Sequence, residues 1–190
     1  MPVLYVRIPE DRVGAVIGPG GRTKRQIEVA THTAVEIDAV EGEVRVSNPD
    51  DGDPISAMKA RDIVLAIGRG FSPNRAFRLL KDDAYLGVID IKRVTGHREK
   101  PAMRRIRARL IGAEGKARER IEYLSGCSMS IYGSTVALIG QEAQLERATR
   151  AVELLLRGSE HSAVFHLLAR MKREDALAQA TGPEEIPDDG

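Results

Sequence analysis

The residues most suited to chemistry form a Gly-Pro-Gly-Gly turn at positions 18–21. An apolar run, VGAVI (13–17), leads into the turn, and Arg22, Lys24 and Arg25 follow it. Glycines without a Cβ let the main chain approach a phosphate closely, and free N–H groups at a helix start attract anions. The pattern favours binding of a phosphate, which could belong to a mononucleotide, a dinucleotide or a nucleic-acid strand.

Spacing separates these three ligands. The dinucleotide fingerprint needs a third glycine where this chain has Thr23, and the parallel βαβ unit that surrounds such a motif is not predicted. A P-loop needs Gly-Lys followed by Ser or Thr, whereas Gly115-Lys116 is followed by Ala117. In addition, Leu110 stands where the first P-loop glycine belongs. A nucleic-acid strand is therefore the expected ligand.

The glycine-rich turn belongs to an internal repeat. Residues 17–37, IGPGGRTKRQIEVATHTAVEI, align without a gap with residues 111–131, IGAEGKARERIEYLSGCSMSI. Both contain Ile-Gly-x-x-Gly and a base, then Ile-Glu, and both end in an apolar strand. Downstream, 66–80 and 155–168 share Arg-Gly and, seven residues later, Phe. We infer two homologous modules of roughly 80–100 residues each.

Each module is predicted to run strand, helix, glycine loop, helix, strand, strand, helix. In the first module VLYVRI forms the opening strand, Asp11 caps the first helix, and the second helix starts at Thr23. The segments AVEID and EVRVS then form a hairpin, and SAMKARDIVLAIG forms an amphipathic helix.

The second module differs by an insertion. After the strand YLGVIDI comes KRVTGHREK, and the next helix begins near Pro101, since proline is favoured in a first turn. SMSIYGSTVALI is predicted to form the hairpin, with Gly133-Ser134 as its turn. A closing helix from Gln141 to Gly158 and a further helix, HSAVFHLLARMKREDALAQA, follow.

Composition is that of a soluble globular protein, with 42% hydrophobic and 30% charged residues among 190. The net charge is +1, but residues 99–122 form a basic stretch that contains eight Lys/Arg and four Glu. Cys127 is the only cysteine, which excludes internal disulfides and Cys-based zinc sites and favours a reducing cytoplasm. The uncharged run 123–141 is interrupted by Gly and Ser, so no membrane segment or membrane partner is expected.

Two Gly-x-x-Gly loops between helices, each followed by a basic helix start, resemble the K-homology (KH) family of RNA-binding domains. The matching segments are IPEDRVGAVIGPGGRTKRQIEVATHTAVEI and RIRARLIGAEGKARERIEYLSGCSMSI. The resemblance implies an α+β fold of two tandem type I KH domains, each a three-stranded antiparallel sheet packed with three helices. It also implies binding of single-stranded RNA, with the loop clamping about four nucleotides.

The predicted domain limits follow the repeat. Residues 1–80 form the first KH domain with a linker helix, 81–180 form the second with a C-terminal helix, and 181–190 form an acidic flexible tail.

The paired KH modules, the link AIGRGFSPNRAFRLLKDDAYLGVIDI and the basic approach to the second loop narrow the resemblance. They are similar to the archaeal tandem-KH ribosome-assembly proteins, which are related to the eukaryotic partner-of-Nob factor. That resemblance implies binding near the 3′ end of the small-subunit ribosomal RNA precursor, where the protein assists maturation without cutting. It further implies contact with a Nob-type endonuclease and with translation initiation factor two, and no cofactor or metal.

The predicted RNA-binding residues surround both loops. They are Gly18, Pro19, Gly20, Gly21, Arg22, Lys24 and Arg25 in the first module, and Arg104, Arg107, Gly112, Ala113, Glu114, Gly115, Lys116 and Arg118 in the second. Aromatic residues make up only 4%, so aliphatic side chains are expected to contact bases. The candidates are Val13, Val16, Val35 and Ile37, then Ile106, Leu110, Met129 and Ile131.

Several residues depart from the family pattern. Lys24 and Arg118 stand where many KH domains have an apolar residue, and His32 replaces a glycine after the second helix, where a surface cap is expected. Glu114 lies inside the second loop, which puts a carboxylate where a phosphate should bind. His161 and His166 are expected to pack within a helix rather than bind metal.

Purely structural roles for these residues and other functions for the protein stay open. The bases beside the loops could be solvated helix faces, and Cys127 is expected to be buried and inert. A protein-docking scaffold with degenerate KH domains, using helix 160–180, is the main alternative to an RNA-binding assembly factor. A general RNA-binding module of other RNA processing is another. No nucleophile and base stand together and no metal-binding carboxylates cluster, so an enzyme such as a nuclease is not expected.

Overall fold

The computed structural model of the protein describes residues 3–49 and 52–181. Its first half contains β1 (Val3–Arg7), α1 (Glu10–Ile17), α2 (Arg22–Thr31), β2 (Ala34–Asp38), β3 (Glu43–Ser47) and α3 (Pro54–Gly68). A short helix α4 (Pro73–Ala76) and a 3-10 turn (Phe77–Leu80) lead into the second half. Asp50, Asp51 and the predicted acidic tail beyond Thr181 lie outside the described residues.

The second half repeats this order with two additions. It contains β4 (Tyr85–Asp90), α5 (Ile91–Thr95), α6 (Lys100–Ile111), α7 (Lys116–Ser125), β5 (Ser128–Tyr132), β6 (Thr135–Gly140), α8 (Glu142–Leu156) and α9 (His161–Thr181). The additions are α5, which lies in the predicted insertion, and α9, which is the predicted further helix. The predicted order of elements is confirmed in both halves.

The prediction that Asp11 caps the first helix is wrong. The helix α1 begins at Glu10, and Pro9 occupies the capping position with extended backbone angles (φ −59°, ψ 140°). The Asp11 carboxylate instead accepts a hydrogen bond from the Tyr132 hydroxyl in the second half, and this contact raises the pKa of Tyr132.

Each half forms one three-stranded antiparallel sheet. The strand orders are β1-β3-β2 and β4-β6-β5, so the first strand pairs with the third in both. The strand pairing is also equivalent in the two sheets. Val35 pairs with Val46, and Met129, which aligns with Val35 in the repeat, pairs with Leu138. Helices cover one face of each sheet, which gives the strand, helix, helix, strand, strand, helix arrangement of a type I KH domain.

The outer faces of the two sheets differ. In β3, Val44 and Val46 are buried while Glu43 and Arg45 are exposed, the alternation of a sheet with one wet face. In β6 every residue from Thr135 to Ile139 is buried. Ala137 and Ile139 belong to the apolar core of the first half, which shows that the first half covers the outer face of the second sheet.

Polar contacts fix the two halves together along β5. Ser128 and Ser130 meet the linking segment, since Arg78 Nη1 donates to Ser128 Oγ over 2.6 Å and Ser130 Oγ donates to the Arg69 carbonyl over 3.0 Å. The Arg12 guanidinium lies 5.7 Å from the Tyr132 ring centre. Residues of the uncharged run 123–141 therefore form core and inter-domain contacts.

The helix α9 packs on α7 and α8. Val164 and Leu168 are buried in the second core. Arg147, which is buried on α8, forms an ion pair with Asp175 and donates to the Ser125 carbonyl over 3.0 Å. These contacts join α9 to the second half as a fourth packed helix.

Candidate nucleic-acid interface

The first glycine loop joins α1 to α2 through three left-handed residues. Gly18 (φ 72°), Gly20 (φ 58°) and Gly21 (φ 75°) all adopt positive φ, which L side chains rarely do. A Cβ on Gly18 would lie 2.2 Å from Thr23 Oγ1, whereas a Cβ on Gly20 would meet no described atom within 4 Å. The main chain at Gly20 is therefore open to an approaching ligand.

The second loop follows the same path. Gly112 (φ 74°), Glu114 (φ 53°) and Gly115 (φ 80°) repeat the three positive φ angles in order. A Cβ on Gly112 would lie 2.6 Å from the Ala117 Cβ, so this position also requires glycine. Both predicted loops are thus present with matching backbone conformations.

Glu114 is the exception within the second loop. It holds a left-handed conformation that costs a non-glycine residue roughly 1–2 kcal/mol. Its carboxylate lies 3.3 Å from the Lys116 ammonium, and both side chains are exposed. The carboxylate therefore partly neutralises the lysine that follows the loop.

The repeated Ile-Glu pair fixes each helix to the strand that follows it. Ile27 and Ile121 are fully buried. Glu28 accepts a hydrogen bond from the Val35 N–H over 2.9 Å, and Glu122 accepts the equivalent bond from Met129 over 2.6 Å. These carboxylates hold the loop-bearing helix against the edge strand, so this part of the repeat is structural.

The basic side chains after the two loops differ in solvent exposure and in ion pairing. Arg22 and Arg25 are exposed on α2. Lys24 is half-buried and lies 3.7 Å from the Glu28 carboxylate. Arg118, at the position aligned with Lys24, is half-buried, and its buried Nε has no hydrogen-bond partner among the described residues. Lys116 is largely exposed.

A basic concavity of about 540 Å³ lies along α6. Arg104 and Arg107 both line it, and Arg107 donates to the Gly133 carbonyl in the β5–β6 turn over 2.8 Å. Three bases that the sequence analysis did not select also line it: Lys92, Arg98 and Lys100. Their signal was the run of bases in the insertion KRVTGHREK.

The equivalent hairpin of the first half is acidic. A concavity of about 500 Å³ there is lined by Glu36, Asp38 and Glu43 and by one base, Arg45, which forms an ion pair with Glu36. Hydrogen bonds from the backbone N–H groups of Glu41 and Val40 lower the pKa of Asp38, so its carboxylate stays charged. Residues 10–47 hold five bases and seven acids, whereas the aligned residues 104–141 hold seven bases and three acids.

The eight aliphatic residues predicted to contact bases, called the aliphatic wall below, are only partly accessible to RNA. Five of its eight members are core residues with no more than 5% of their surface exposed: Val13, Val16, Val35, Leu110 and Met129. The prediction is wrong for these five, because their side chains point between sheet and helices. Ile37, Ile106 and Ile131 are only partly buried and remain candidates.

The isolated side chains have simple roles. His32 is exposed with φ 51° and forms the C-cap of α2, as predicted, and its N–H donates to the Glu28 carbonyl. Cys127 is buried, and burial raises the pKa of its thiol to about 12. His161 packs against α6 through a 2.9 Å bond to the Arg109 carbonyl. His166 is exposed, so the prediction that it packs within the helix is wrong.

Two further findings concern the described residues. Within 3–49 and 52–181, no group of three or more His, Cys, Asp or Glu side chains is placed to hold a metal ion. Across the same residues, no helix combines the length and the apolar character required to cross a membrane.

Strand order and the two Gly-x-x-Gly loops define two type I KH domains in tandem. A family model described as "Eukaryotic type KH-domain (KH-domain type I)" matches residues 85–173, and one described as "KH domain" matches residues 3–66. A KH domain-containing protein of Methanocaldococcus jannaschii is 43% identical over 170 residues, covering 89% of this chain and 74% of that protein.

Solved structures are similar over nearly the whole chain. Dim2p from Pyrococcus horikoshii matches with a TM-score of 0.84 and 47% identity, over 90% of this chain and 99% of that one. A chain of the a/eIF2α–aDim2p–rRNA complex from the same organism matches at 0.86 and 46%, over 91% and 95%. A protein of unknown function from Aeropyrum pernix matches at 0.90 and 36%, over 95% of both chains. The chain belongs to the KH-domain family, and within it to the archaeal tandem-KH proteins that include Dim2p.

Proposed function

We propose that this protein binds single-stranded RNA, chiefly through its second KH domain, and assists small-subunit ribosomal RNA 3′-end maturation and ribosome assembly. The observation that carries the proposal is the basic concavity of that domain, which lies along α6 beside the β5–β6 turn. The Pyrococcus horikoshii complex, which contains rRNA, supports the ribosomal assignment.

The geometry suggests how a strand is held. The main chain of the second loop approaches the sugar-phosphate backbone, and the exposed Lys116 adds a positive charge beside it. Arg104 and Lys100 contact phosphates further along α6, while the half-buried Ile106 and Ile131 contact bases. Arg107 acts on the turn through its bond to Gly133, so it also positions the end of the groove.

The first domain has a smaller share in RNA binding in this proposal. Its loop carries Arg22 and Arg25, but the acidic hairpin repels a strand that leaves the loop toward β2 and β3. The complex from Pyrococcus horikoshii contains a/eIF2α, and this supports a contact of our protein with translation initiation factor two. A Nob-type endonuclease is the second proposed protein partner, since this protein is proposed to assist cleavage of the RNA without catalysing it. The proposed location of this activity is the cytoplasm.

Charge reversal at aligned positions tests the proposal. Lys116 and Arg22 both follow the last loop glycine and are exposed, so Lys116→Glu and Arg22→Glu form a matched pair. With a single-stranded RNA from the 3′ end of the small-subunit rRNA, Lys116→Glu should weaken binding about tenfold and Arg22→Glu less than threefold. Fluorescence anisotropy over a salt series measures both, and each lost phosphate contact reduces the slope by about 0.7.

Other results would redirect the proposal. A larger loss from Arg22→Glu would move the main site to the first domain. Wild-type protein without salt-dependent binding would favour the protein-docking scaffold. Cleavage of the RNA in Mg²⁺ that is lost on mutating one carboxylate would make the protein a nuclease.

A further inference from the structure

A second concavity adjoins the second glycine loop on the side of α9. Its volume is about 390 Å³, and Gly112, Ala113 and Lys116 form the wall on the loop side. His161 and Phe165 form the opposite wall. It therefore shares three residues with the proposed phosphate clamp, yet it faces the C-terminal helix rather than the α6 groove.

The aromatic wall is fixed in place before any ligand binds. The His161 and Phe165 rings lie 5.9 Å apart at 50° to each other. His161 Nε2 is 2.9 Å from the Arg109 carbonyl, which ties the start of α9 to α6. Further along α9, Lys172 lies 4.3 Å above the Tyr123 ring. Both aromatic side chains remain half-exposed.

Positive charge surrounds this wall. Arg120 also lines the concavity and is exposed, one helical turn after Lys116. An aromatic surface beside two exposed cations and next to a backbone clamp has the elements that bind single-stranded nucleic acid. Bases stack on the ring while the cations contact the backbone, and such stacking tolerates any sequence.

The repeat provides a second, independent observation. A concavity of about 480 Å³ occupies the equivalent place beside α2, lined by Arg22, Arg25 and Phe77. Phe77 and Phe165 hold the same position in the aligned segments, seven residues after Arg-Gly. The chain has only three phenylalanines and no tryptophan. Two of the three thus line a concavity together with bases of the helix that follows a glycine loop.

We propose that the concavity between the second loop and α9 is a nucleotide subsite. It takes the base next to the clamped nucleotides, stacked on Phe165, while Lys116 and Arg120 contact the adjoining phosphate. The subsite rests on the proposed RNA binding by the second domain and extends its footprint by one nucleotide onto the C-terminal helix.

The experiment measures binding of oligouridines of increasing length, from four to seven nucleotides, to the full chain. Wild type should gain at least about fivefold in affinity at the length that reaches the concavity. Phe165→Leu, which keeps apolar volume, should lose this step but bind the four-nucleotide RNA as wild type does. Phe165→Tyr should keep the step, and Phe77→Leu, the matched control in the first domain, should keep it too.

An abasic residue at the added position separates stacking from added charge. If the base occupies the concavity, the abasic oligonucleotide should lose the step with wild type and bind wild type and Phe165→Leu equally. A step that survives either Phe165→Leu or the abasic residue would overturn the subsite. Failure of wild type to bind even the longest oligonucleotide would instead overturn the proposed function on which the subsite depends.

Discussion

The two KH domains share a backbone and differ in charge. Their loops have the same sequence of positive φ angles, and the same Ile-Glu pair anchors the following helix. Around the loops, however, the first domain places acids on its hairpin, while the second has a neutral hairpin and a basic α6. Duplication has kept what the fold needs, namely glycine at fixed positions and one buried isoleucine. It has let the surrounding charges diverge, and those charges decide how strongly each groove attracts a phosphate backbone.

A second difference lies on the outer faces of the sheets. Arg45 of β3 and Ala137 of β6 hold equivalent register positions, but Arg45 is exposed beside Glu36 and Ala137 is fully buried. The second sheet is therefore a core layer for both domains, whereas the first sheet faces water. The second domain thus contacts the first domain through its sheet and packs α9 against its helices α7 and α8.

The largest effect, on the free energy of unfolding, should come from substitutions at these two equivalent strand positions. Ala137→Arg buries an unpaired charge between the domains and should reduce the free energy of unfolding by about 3–5 kcal/mol. Arg45→Ala, at the solvent-facing equivalent, should change it by less than about 0.5 kcal/mol. Urea denaturation followed by circular dichroism measures both. Equal effects would mean that the first domain does not cover the second sheet in solution.

A smaller effect is expected from exchanging charge between the grooves. Arg104 aligns with Glu10, so Arg104→Glu gives the second domain the residue of the first. Together with Lys100→Glu it should weaken RNA binding at least tenfold, about 1.4 kcal/mol. The reverse exchange, Glu10→Arg, should change affinity by less than about twofold. Anisotropy titrations measure these affinities, and melting curves check that each variant is folded. A large gain in affinity from Glu10→Arg would show that only its charge keeps the first groove from binding RNA.

The smallest effect concerns the loops themselves. Glu114→Gly gives the second loop the glycine that the first has at position 20, and it frees Lys116 from its ion pair. Two unit charges about 5 Å apart in water interact by only ~0.8 kcal/mol, so binding should tighten about fourfold. Gly20→Glu should cost less, because we propose that the first loop contributes less to RNA binding. Affinities of both variants on one oligonucleotide test this, and no change from Glu114→Gly would mean that RNA does not reach the second loop.

Much of the fold was readable from local patterns. The repeat, the order of elements, the hairpin turn at Gly133-Ser134 and the left-handed cap at His32 each depend on nearby residues and backbone preference. The cap at Asp11 was wrongly predicted because the helix begins one residue earlier, at Glu10, which places Asp11 inside the first turn. The aliphatic wall was overestimated because apolar spacing alone does not say which side of a helix faces the core.

The sequence by itself determined that two KH domains exist and where their loops lie, since glycine positions and helix periods act over short distances. Only the tertiary structure decided which charges share a surface. Arg107 on α6 contacts the β5–β6 turn at Gly133 and lines one concavity with Lys92 and Arg104, and Phe165 lies beside the second loop because α9 packs on α7. Electrostatic potential and concavity depend on distances between residues far apart in the chain, and packing sets those distances. By sequence, Glu114 places a carboxylate in the second loop and leaves the first loop without one, whereas the basic concavity along α6 supports our proposal that the second domain is the main RNA site.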